Sequence, residues 1–108
     1  MLWDLDKIDS ARYDKWKKTV HLQILDSLRE DLTDDQYKEM LQKKVETYVN
    51  YVLSEGPARE FSLKQGKKYH YVIEIVRDHE IKSDMVSFLD TVNKQVIELT
   101  QSKVNLSY

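Results

Sequence analysis

The most regular stretch of the chain is LTDDQYKEMLQKKVETYVNYVLSEGP, Leu32–Pro57. Apolar side chains recur at Tyr37, Met40, Leu41, Val45, Tyr48, Val49 and Val52, in steps of three and four that lay a stripe along one side of a helix. Thr33 suits the N-cap, and Gln36 three residues on completes a capping box. Asp34 and Asp35 place negative charge at the positive end of the helix dipole, while Leu32 and Tyr37 have the spacing of a hydrophobic staple. Gly56 and Pro57 stop the pattern, so a helix is expected from about 34 to 54.

On either side of this helix the period changes to two. In TVHLQILD, Val20, Leu22 and Ile24 alternate with His21, Gln23 and Leu25, which is the signature of a strand with one buried face. The segment REFSLKQGKKYHYVIEIVR reads as a hairpin: a short strand over Glu60–Leu63, a turn at KQGK with Gly66 supplying a positive φ, and a returning strand over Lys68–Arg77. In KSDMVSFLDTVNKQVIELTQ helical spacing returns. Ser83 is the expected cap, Asp84 lies in the first turn, and Met85, Leu89, Val92, Val96 and Leu99 form the stripe with Phe88 beside it. The tail KVNLSY forms a last strand with Val104, Leu106 and Tyr108 on one face.

The expected class is therefore α+β: strand, helix, strand, strand, helix, strand, the split βαβ (ferredoxin-like) order. Two helices cover one face of an antiparallel sheet whose central strands lie around Leu22 and Ile73. Residues 5–16 fit either a helix or an extra strand turning at YDKW. An extra strand would compete with the C-terminal strand for one sheet edge. The 108 residues suffice for one domain with a real core, read as 1–108 with 1–17 as an N-terminal arm.

Composition narrows the chemistry. There is no cysteine, which removes disulfides, thiolate metal sites and a thiol nucleophile. The 17 basic and 19 acidic residues give a net charge of -2, which argues against broad binding to phosphate backbones. The N-terminus MLWDLDKIDS has no apolar signal core, and no run approaches the ~20 apolar residues of a membrane helix, so a cytoplasmic protein without membrane association is expected. With 2 glycines and 1 proline the chain is mostly regular structure.

The stretches TVHLQILDSL, LQKKVETYVNYVLSEG and KKYHYVIEIVRDHEIKSDMVSFLDTV resemble, over roughly residues 18–108, a family of small bacterial proteins defined only as a domain of unknown function. The resemblance implies a strand ending near an aspartate, a Tyr-rich helix, a hairpin and a helix bearing Phe-Leu, and it implies no catalytic residue.

No pattern of nucleophile, phosphate loop or calcium loop emerges, and neither cofactor nor metal is expected. His21 and His70 lie near the starts of two strands expected to be antiparallel, which would hold them about 13 Å apart at ~3.3 Å per residue and exclude shared coordination. His79 falls in a loop with Asp78 and Glu80. Among acids, Glu74 is singled out as the one inside a strand. Lys64, Lys67, Lys68 and Arg59 cluster near Phe61, Tyr69 and Tyr71, but the signature of an RNA-binding sheet is missing, so no nucleic acid partner is expected.

The surface that stands out is the outer sheet face: His21, Gln23 and Leu25 on one strand, Val72, Glu74 and Val76 on another, with Leu25 placed opposite Val72 and His21 opposite Val76. Two valines and a leucine are more apolar than a fully solvated face requires. Cover by the N-terminal arm (Trp3, Leu5, Ile8, Trp16) or by a protein partner or second copy would account for it. The leading functional reading is thus a non-enzymatic protein-interaction module, with a small-molecule-binding or enzymatic face around Glu74 and His21 as the alternative.

Overall fold

The computed structural model describes residues 4–26 and 32–108. Its elements are β1 Ser10–Asp14, β2 Thr19–Asp26, α1 Asp34–Leu53, α2 Gly56–Glu60, β3 His70–Arg77, α3 Ser83–Leu99 and β4 Val104–Ser107. The four strands form one sheet in the order β1-β2-β3-β4. β1 runs antiparallel to β2, but β2 with β3 and β3 with β4 are parallel. The fold is α+β with a mixed sheet, not the antiparallel split βαβ arrangement.

One misread segment accounts for the difference. Residues 60–63 form no strand: Pro57 sits in the first turn of α2, where its fixed φ and missing N–H are tolerated, and Gly56–Glu60 coil into a short helix. Phe61 then turns inward, its ring 6.1 Å from that of Tyr13. Without a reversing strand, α1 carries the chain back along the sheet, and β3 enters in the same direction as β2. Gly66 does hold a positive φ of 77°, in a loop rather than a hairpin.

The N-terminal ambiguity resolves to a strand. β1 folds back on β2 through a tight turn in which Asp14 Oδ1 accepts from the amides of Trp16 and Lys17, each at 3.1 Å. It does not compete with β4, because β4 lies beyond β3 at the opposite edge.

The helical expectations hold more closely. Thr33 accepts from the Gln36 amide, and the Gln36 side chain accepts from the Thr33 amide, closing the capping box. The second long helix begins at Ser83 after Lys82, without a side-chain cap, so the Ser83 cap is not formed. Leu99, assigned to the stripe, is 67% exposed.

Burial shows where the layers meet. Val20, Leu22 and Ile24 of β2, Tyr71, Ile73 and Ile75 of β3, and Val104 and Leu106 of β4 join one core with Leu41, Val45, Tyr48, Val49 and Val52 of α1 and Leu89, Val92 and Val96 of α3. Both long helices therefore cover the same face of the sheet. The alternate residues of every strand point to the other face.

Candidate functional site

Strand alternation dictates the outer face, and register arranges it. In the parallel pair, His21 lies opposite Val72, Gln23 opposite Glu74 and Leu25 opposite Val76. This replaces the expected pairing of Leu25 with Val72 and His21 with Val76, which assumed antiparallel strands. The outer strands extend the rows: Arg12 lies beside His21 and Asn105 beside Val72, while Ser10 flanks Gln23 and Ser107 flanks Glu74. All six residues singled out from the sequence thus share one face. Val76 is 43% exposed and the other five are partly covered.

Two polar pairs cross this face. His21 Nδ1 lies 3.2 Å from Glu74 Oε1; both atoms are shielded from solvent, but they are not aligned as a hydrogen bond. His70 Nε2 lies 2.9 Å from Asn105 Oδ1. The parallel register also corrects the separation of the histidines. His70 pairs with Thr19, two residues before His21, so the two histidines stand on neighbouring strands with their Cα atoms at a diagonal of roughly 7–8 Å rather than at opposite ends. Each turns to its own partner. Among the described residues no group of three or more His, Asp or Glu side chains is placed to hold a metal ion.

The described part of the N-terminal arm does not cover this face. Lys44 of α1 is fully buried, and its Nζ donates to the carbonyls of Asp4 and Lys7 and to Asp9 Oδ1, the last two at 2.8 Å. Thr47 donates to the Leu5 carbonyl, and Ile8 packs on the core. Asp9 Oδ2 accepts from the Leu25 amide at 2.9 Å. Burial pushes the Asp9 carboxyl up, but hydrogen bonds from Lys44 and Leu25 outweigh it and hold the group below the usual carboxylate range. Residues 4–9 are thereby fastened to the helix layer. Trp16, proposed as cover, is 97% exposed on the β1–β2 turn, and Trp3 lies outside the described residues.

A second cluster sits at the carboxyl ends of β2 and β3, where open α/β sheets hold their ligands. Asp26 continues the inward row of β2 and is 2% exposed. Tyr37 donates its hydroxyl to Asp26 Oδ2, and His79 Nε2 lies 4.0 Å from the same oxygen, with His79 Nδ1 3.0 Å from Asp78 Oδ1. Arg77, the register partner of Asp26, donates from Nη2 to a backbone oxygen of Tyr108. Asp26 Oδ1 and Arg77 Nη1 are buried without a hydrogen-bond partner among the described residues. Burial raises the Asp26 carboxyl above its usual range against the opposing effects of Tyr37, His79 and Arg77. Chemically this is a carboxyl held toward its protonated form beside a phenol and an imidazole. The sequence carried a signal for it: an aspartate at the next core-facing position after Val20, Leu22 and Ile24.

The raised carboxyl has a stability consequence. Between the unfolded-state carboxylate value and the higher folded value, the unfolded chain loses its proton first, so stability falls as pH rises through that interval. Asp9 works in the opposite sense: its contribution is lost as pH falls toward its lowered folded value. Asp26→Asn, which keeps an acceptor for Tyr37, is expected to fold and to flatten the decline above the ordinary aspartate range. Urea melts at a series of pH values check this. An unchanged profile would mean that Asp26 ionises without cost.

Against known families, the model for a family of unknown function (DUF6572) matches residues 1–108. The chain belongs to that family. Neither a curated protein nor a solved structure matches it. No helix among the described residues is long and apolar enough to cross a membrane.

Proposed function

We propose that this member of the DUF6572 family is a non-enzymatic protein-interaction module that associates with a second copy of itself through the outer sheet face. One observation carries the reading. Three of the four strands, β2, β3 and β4, pair in parallel, and sheets that are parallel throughout are almost always covered on both faces. Here the helices take one face, the described part of the arm joins the helices, and Leu25, Val72 and Val76 remain on the other.

The size of the face sets the strength of association. Strands of five, eight, eight and four residues, at ~3.3 Å per residue and ~4.8 Å between strands, span roughly 400 Å², so two copies would bury about 800 Å², the range of weak and transient interfaces. A weak, concentration-dependent dimer is expected. Sedimentation equilibrium from ~10 μM to ~1 mM should show the mass rising toward twice that of the chain. Val72→Lys, which places an ammonium at the centre of the face in both copies, should hold the mass at the monomer value with little change in melting temperature. A wild-type chain that stays monomeric throughout that range would defeat the reading.

The alternative, ligand binding or catalysis on the same face, draws on the His21–Glu74 pair, since a carboxylate beside an imidazole can orient it as a general base. Glu74→Gln separates the two uses: it should leave the dimer mass unchanged but alter any chemistry that depends on His21.

A further inference from the structure

The amino ends of the parallel strands gather charge that the sequence disperses. Lys17 and Lys18 come from the β1–β2 turn, Lys67 and Lys68 from the loop before β3, and Lys103 from the α3–β4 loop. Together with His70 they line one hollow of about 790 Å³, and no carboxylate is among its lining residues. Asp14, on the same turn, is engaged with the Trp16 and Lys17 amides.

The hollow is fixed by backbone bonds between its loops. The His70 amide donates to the Lys18 carbonyl at 3.0 Å, and the Tyr71 amide donates to the Lys103 carbonyl at 3.2 Å. Lys103 Nζ stands 5.3 Å from the centre of the Tyr71 ring. All five lysines are exposed, and among the described residues none takes part in an ion pair. A concave surface lined by one sign of charge focuses the field and concentrates counter-ions of the opposite sign. In a chain of net charge -2, this is a local concentration of charge and not a property of the whole surface.

We infer that this hollow binds a compact oligophosphate, a small molecule carrying two or more linked phosphoryl groups. Five ammonium groups around a hollow of nucleotide scale call for several negative charges close together, which one carboxylate or phosphate does not supply. The lysines ring a depression and do not follow a track, which favours a compact ligand over a nucleic acid strand. The shared chemistry is the phosphate chain, whether free or attached to a nucleoside.

Titration calorimetry and amide-shift mapping at low salt test the inference. Inorganic tripolyphosphate should bind at one site per chain, with shifts at Lys18, His70 and Lys103, and adenosine triphosphate in parallel shows whether a nucleoside adds affinity. Paired Lys67→Glu and Lys103→Glu should weaken binding about tenfold or more. Paired Lys43→Glu and Lys94→Glu, with the same change in net charge elsewhere on the surface, should change it less than about twofold. The inference fails if tripolyphosphate shows no saturable site, if the control pair weakens binding as much, or if a single-stranded oligonucleotide binds more tightly than either phosphate. Circular dichroism of each variant confirms that these exposed positions leave the fold intact.

Discussion

Lys44→Ala is expected to destabilise the fold by about 3–5 kcal/mol, because removing one partner of a buried ion pair strands the other charge. The Lys44 side chain is fully buried and that of Asp9 is 3% exposed, with 2.8 Å between Nζ and Oδ1. The substitution also takes the donor from the carbonyls of Asp4 and Lys7. Asp9 would keep the Leu25 amide as a donor, but in a site that no longer favours its charge. A paired replacement isolates the cause: with Lys44→Met and Asp9→Asn together, no charge is left buried, and most of the stability should return. Urea melts of the two single variants and the pair measure the coupling. If Lys44→Ala costs less than about 1 kcal/mol, water reaches Asp9 freely and the arm is not held as described.

Ile73→Ala should cost about 2–5 kcal/mol through lost transfer energy and the cavity that remains. Ile73 has no solvent exposure, and in register it lies between Leu22 of β2 and Leu106 of β4. Backbone on both sides is fixed by the sheet, and the helices close over it, so little can relax into the gap. Denaturant melts give the value directly. A loss below about 1 kcal/mol would show that the sheet's centre is not its most tightly packed part.

Much of the architecture was legible because period and capping act locally. The Thr33–Gln36 box, the helix that follows it, the alternation of β2 and β3 and the inner and outer assignment of their residues all follow from neighbours in sequence. Strand direction was not legible in that way. It turned on whether Phe61 and Leu63 alternate as a strand or follow a Pro57-led helical turn; the turn forms, and Phe61 packs beside Tyr13. Parallel pairing in turn moved His21 opposite Val72 and brought His70 close, neither of which propensity encodes.

The two buried acids and the buried lysine escaped for another reason. Asp26 follows Ile24 on the inward row of β2, and Lys44 falls between Leu41 and Tyr48 on the inward row of α1. Charge at such positions reads as an interruption of the stripe when it is in fact part of the buried surface. Both positions can be recognised by extending the period through the charged residue. Asp9 gave no such signal, since its partner lies 35 positions away.

The parallel crossover sets an order of events during synthesis. Leu22 finds its partner Ile73 only when the chain is 51 residues longer, and Ile73 waits for Leu106. At ~5–20 residues per second the ribosome needs roughly 3–10 s to make the first of these intervals. Until then Val20, Leu22 and Ile24 can be sheltered on one side by β1 and against α1, but their strand edge stays open. The nascent chain therefore presents an apolar, unpaired strand for seconds before its neighbour exists, the form of exposure that holding chaperones recognise and that favours aggregation at high expression.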